Sequence, residues 1–158
     1  MVNDAGGTSK GYFSNSVDVR DKYLLKLSYI KSCLQSVNEG CWHKANNWGG
    51  YDGTLSSLNY QQPSVILSNG TLMVFVGFSP NCTGGWGEDF NWCGEWIVDV
   101  NGFKKPNAFG KDIFAAYVTE NSLVPRGKDH SEVDANNCTS VNSGTESGIL
   151  CSAAYLYQ

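Results

Sequence analysis

VDVRDKYLLKLSYIKSCLQSV, residues 17–37, is the stretch on which the reading of the fold turns. Val19, Tyr23, Leu27, Ile30, Leu34 and Val37 recur at steps of four and three, the spacing of one face of an α-helix. Lys22, Lys26 and Lys31 fall off that stripe. Asp18 and Asp21 stand where negative charge suits the positive end of a helix dipole, and Asn38, Glu39 and Gly40 supply a stop. The expectation is one amphipathic helix over 17–37, its apolar face packed on the rest of the chain.

Outward from this stretch the sequence changes character. Residues 1–16 are rich in Gly, Ser, Asn and Thr without apolar periodicity and read as a flexible lead. Residues 17–158 read as a single globular domain, since a chain of 158 residues can bury a real core but would be cramped as two. Residues 41–62 have the composition of a loop. Pro63–Ser68 and Thr71–Phe78 flank Asn69-Gly70, the pair typical of a type I′ hairpin, and read as strands. Gly94–Val100 and Asp112–Val118 read as two more. Ile149–Tyr157 reads as a last strand or a short helix.

Six cysteines form an even set, which favours disulfides and an oxidising, extracytoplasmic compartment. Cys33 and Cys41, Cys82 and Cys93, and Cys138 and Cys151 lie eight, eleven and thirteen residues apart. Pairing near neighbours is the economical connectivity among the 15 that six cysteines allow. No CxxC or HxxxH spacing points to zinc. A net charge of -4 with dispersed Lys and Arg offers no field for a phosphate backbone, so sequence-specific nucleic-acid binding is not expected. No stretch approaches the ~20 apolar residues of a membrane span.

Two constellations could carry chemistry. Asp99, Asn101, Asn107 and Asp112 place oxygen side chains around Gly102 and Gly110, as at the opening of a calcium loop. The same residues also suit Asx-turns that bond their own backbone, and the bidentate Glu that closes an EF-hand is missing. Five tryptophans, among them Trp86 and Trp92 in polar loops, could stack on sugars if exposed, giving a lectin-like module. Packing beneath their own loops is the alternative. No nucleophile elbow accompanies the two histidines, and no catalytic residue is assigned. Leu123–Gly127 reads Leu-Val-Pro-Arg-Gly, like a thrombin-cleavage tag lying inside the domain.

The run WIVDVNGFKKPNAFGKDIF, residues 96–114, resembles one found in type IV pilin-like proteins, and so does the wider order of parts. The resemblance implies an α+β fold: a type IV pilin-like head, with one N-terminal helix laid on an antiparallel sheet of about four strands and disulfides stapling the loops. It implies a structural subunit of a bacterial pilus or secretion filament rather than an enzyme. Partners would be copies of itself or sister pilins, the inner membrane through a missing N-terminal helix, and a host surface, glycan or DNA as ligand. Related pseudopilins fix a loop with calcium. The leader, the processed first residue and the apolar half-helix of pilins are absent from this sequence, so the expectation is a soluble head trimmed of them.

Overall fold

The computed structural model describes residues 8–84, 91–127 and 148–156. Its centre is a six-stranded sheet in the order β1-β2-β3-β4-β5-β6, antiparallel throughout. The strands are β1 Tyr29–Cys33, β2 Ser64–Leu67, β3 Leu72–Val76, β4 Gly94–Asp99, β5 Ile113–Val118 and β6 Leu123–Pro125. Helix α1 spans Ser16–Lys22, a 3-10 turn follows at Leu24–Lys26, and helix α2 spans Cys151–Leu156.

The pilin-like head with a helix over 17–37 on about four strands is therefore corrected. Helix α1 ends after seven residues, and its start is set by Asn15, whose side chain accepts from the Asp18 amide. Tyr23 leaves helical geometry, and Leu27 is fully extended at φ -78°, ψ 156°. From Tyr29 the chain pairs with β2, so its backbone groups are satisfied by a neighbouring strand rather than by a helix. The apolar stripe is split accordingly. Val19 is completely buried, whereas Ile30, on the edge strand β1, is 70% exposed and Leu34, just past its end, is 46% exposed. Leu24, off the stripe, takes a core position instead.

Strands β2 to β5 fall within the four segments expected, and the C-terminal segment is helical. The hairpin between β2 and β3 differs in detail. Of the Asn69-Gly70 pair only Gly70 takes a positive φ (+90°), Gly70 N donates to Leu67 O, and Leu67 N donates to Thr71 O. This is a three-residue turn closed by a glycine bulge rather than a type I′ turn.

Both faces of the sheet are covered, which is why the strands read as apolar runs instead of clean alternations. On one face Val65, Phe75, Trp96 and Val118 pack with Val19, Leu24 and Phe13. Phe13 belongs to the segment read as a lead, and that segment is tied down by Ser9 N donating to Glu120 O and Gly11 N to Pro80 O. On the other face Leu72, Val74, Ile97 and Ile113 meet Trp42 and Trp48 from the 36–62 loop, together with Phe109 and Ile149. Helix α2 joins this side through Ser152 Oγ, which accepts from Ala115 N at 2.8 Å.

Disulfides Cys33–Cys41 and Cys82–Cys93 pair as expected. Cys151 is also disulfide-bonded, and its expected partner Cys138 lies outside the described residues. The two bridges described point to an oxidising, extracytoplasmic setting.

The thrombin-like run at 123–127 begins as β6 and stays bound to the sheet just past its end. Arg126 N donates to Ala115 O, and its guanidinium is ion-paired with Glu95 with only 12% of the side chain exposed. A protease must draw such a segment out into its cleft, so thrombin should leave the native protein intact. After reduction and denaturation it should cut behind Arg126, as fragment masses would show.

Candidate functional site

Strand β4 positions the ionisable groups of the interior. Side chains alternate along a strand, so Glu95, Ile97 and Asp99 share the face beneath the 36–62 loop while Trp96 and Val98 point to the α1 side. Glu95 and Asp99 are 2% and 0% exposed. A buried carboxylate needs a partner, and each has one supplied from outside its own strand. Arg126, at the end of β6, meets Glu95 Oε1 at 3.1 Å and lies over the Tyr117 ring. His43 Nε2, from the covering loop, lies 2.8 Å from Asp99 Oδ2, with its ring edge-on between Trp42 and Phe103.

The expected calcium residues gather around the Asp99 pair. Asp99 Oδ1 accepts from Asn101 N at 3.1 Å. Asp112 uses both oxygens, Oδ2 accepting from Asn107 N at 2.8 Å and Oδ1 from Ala108 N at 2.7 Å. Asn107, at φ +52°, donates through Nδ2 to Asn47 O and so ties this corner to the covering loop. Gly102 is required there, because a Cβ would stand 2.5 Å from Gly70 O and its φ is +73°. Burial pushes the Asp99 carboxyl up, against the pull of His43, and the nearby Asp112 charge adds to the rise.

At this corner the side-chain oxygens of Asn101 and Asn107 are buried without a hydrogen-bond partner among the described residues. Three of the four carboxylate oxygens here accept from backbone N–H groups and the fourth lies 2.8 Å from His43 Nε2, and the described residues contain no cluster of three or more His, Cys, Asp or Glu suited to a metal. Melting temperatures in millimolar calcium and in chelator should therefore agree. A ligand bound by the native state alone raises stability by mass action, so a rise of several degrees would mean that these carboxylates exchange their amides for the ion.

The four described tryptophans behave as packing residues. Trp42, Trp48, Trp92 and Trp96 are all buried, and Trp92 stacks on Tyr117 at 6.0 Å. An exposed sugar platform at Trp92 is thus not present, and Trp86 lies outside the described residues. Glu95 and Asp99 are also poorly placed to act as a pair. Four strand positions separate them by roughly 13 Å, more than the ~5–9.5 Å between the carboxyls of glycoside hydrolases.

One cavity was not foreseen from the sequence. A cleft of about 280 Å³ opens between the covering loop and the β3–β4 end of the sheet. Trp48, Val76, Phe109 and Ile149 form its apolar wall, and Gln62, Glu95 and Arg126 its polar one. Leu58, 52% exposed, also lines it. A charged residue such as Glu95 within an apolar strand was the available signal that something must face it. Comparison with family models, curated proteins and solved structures gives no match.

Proposed function

We propose that this chain is a non-catalytic, extracytoplasmic structural subunit of a bacterial surface filament or secretion apparatus. The observation that supports this best is what residues 96–114, the run that resembles pilin-like proteins, do in the fold. They supply Trp96–Asp99 of β4, the Asp99–Asp112 corner and the start of β5, so their chemistry is spent on building the molecule. The polar residues at this corner hold backbone amides and the covering loop, an arrangement suited to rigidity rather than turnover. The bridges Cys33–Cys41 and Cys82–Cys93 stiffen it further, as a subunit exposed outside the cell requires.

Copies of the chain or sister subunits are its partners in this reading. Shearing filaments from producing cells and probing them with an antibody to residues 8–127 tests it. The chain should co-sediment with the sheared filaments and cross-link to itself or to other subunits. Recovery only as a freely soluble protein, never in an assembled fraction, would overturn the reading.

A further inference from the structure

We propose that the end of the sheet carrying the β2–β3 turn and the β4–β5 corner docks on an anionic lipid bilayer. Strand pairing brings its parts together. Tyr29 of β1 stands opposite Leu67 of β2, Leu72 of β3 opposite Asp99 of β4, and Asp99 opposite Ile113 of β5. Ser68 N donates to Ser28 O, and Gly102 lies so close to Gly70 O that a Cβ would stand 2.5 Å from it. The turn and the corner are thus packed as one rim. Three large apolar side chains are exposed on it, Ile30 at 70%, Val100 at 52% and Phe103 at 53%. Ile30 on β1 and Val100 just past β4 are three strand spacings apart, about 14 Å, so they form a row rather than a spot.

The charge of the rim has one sign. Residues 26–31, 66–73 and 100–106 contain no Asp or Glu, and their charged residues are all lysines. Lys104 and Lys105 are exposed beside Phe103, and the exposed Lys44 follows His43, whose ring meets the Phe103 ring at 5.2 Å. The carboxylates of the corner are turned inward: Asp99 and Asp112 are 0% and 3% exposed, held by His43 and by backbone amides. The whole chain carries -4, but charges beyond about 8 Å are largely screened at physiological salt, and the lysines set the local field. Exposed apolar groups rimmed by charge mark a partner or a membrane, and the lysines call for an anionic one. Shape favours the bilayer. The cleft described above opens at the opposite end of β3 and β4, by Val76 and Glu95. What this end offers is projecting apolar tips, which enter between headgroups while lysine stems reach up to the phosphates. The inference does not depend on the filament reading, so either can fail without the other.

The test is flotation of the whole chain with vesicles of phosphatidylglycerol and phosphatidylcholine in equal parts, and with phosphatidylcholine alone. The chain should float with the anionic vesicles at low ionic strength, not with the neutral ones, and molar salt should release it. Each lysine near an anionic surface strengthens binding about fivefold, so Lys104→Gln with Lys105→Gln should weaken it roughly 25-fold. Phe103→Ser and Ile30→Ser should each weaken it several-fold, the second at a position outside the core clusters. Leu58→Ser, 52% exposed beside the cleft, should leave it unchanged. No flotation with the anionic vesicles would overturn the proposal, as would equal flotation with the neutral ones. Losses no larger in the rim variants than in Leu58→Ser would overturn it too. Binding to polyglutamate but not to vesicles would overturn it in favour of an acidic protein partner.

Discussion

Replacing His43 with alanine should lower the unfolding free energy by about 3–5 kcal/mol at neutral pH, because it strands a buried carboxylate without its partner. Asp99 is wholly buried and lies 2.8 Å from His43 Nε2. The sign of the pH dependence follows from the direction of the Asp99 shift. Its folded pKa lies above the ordinary 3.8, so its contribution is fully present below that value and is lost as pH rises through the folded one. Removing His43 takes away the group that pulls the pKa down and carries the loss to higher pH. The deficit of His43→Ala relative to the parent should therefore be smallest in acid and grow toward neutrality. Urea titrations at several pH values would show this, and Asp99→Asn in the same background should recover much of the loss. A deficit independent of pH, with no recovery in the double variant, would mean that only packing between Trp42 and Phe103 was removed.

Asp112→Ala should be as severe, at about 3–5 kcal/mol, for a different reason. Both oxygens of this 3% exposed side chain accept backbone amides, at 2.8 and 2.7 Å. Hydrogen bonds to a charged group contribute about 1.5–3 kcal/mol each, and their loss leaves two buried N–H groups unmet. Asp112→Asn keeps one acceptor oxygen and should lose about half as much. Denaturant melts of the two variants give the comparison. Because Asn107 holds the Asn47 carbonyl, amide exchange in Asp112→Ala should also quicken in the 44–50 loop.

The sheet was legible where local chemistry and tertiary structure agree. The Asn69-Gly70 turn and the apolar runs beside it place β2 and β3, and β4 and β5 follow from Gly94–Val100 and Asp112–Val118. Residues 17–37 failed because a helical spacing of apolar residues is only a statement about one face. It does not say that the segment will find a core before it finds a strand. Tyr29 to Cys33 found β2, and Ile30 was left in solvent. Strand β6 is three residues long and carries Pro125, too short for any periodicity. The ion pairs were hidden by distance along the chain, 56 residues for His43 with Asp99 and 31 for Glu95 with Arg126. The buried state of Trp42 and Trp48 depends on the path of the covering loop, which composition does not encode.

Strand β4 carries its two carboxylates at positions of the same parity, and that has a consequence for how the chain finds its pairing. A slip of one residue along β3 and β5 would turn Glu95 and Asp99 over. They would then enter the cluster of Phe13, Val19, Leu24, Phe75 and Trp96, far from Arg126 and His43. An all-apolar strand with both faces covered could tolerate that error, since either side would accept it. Two carboxylates that can be housed on one side alone make the misaligned sheet the costlier one, so the buried charges act as a proofreading mark on the central strand.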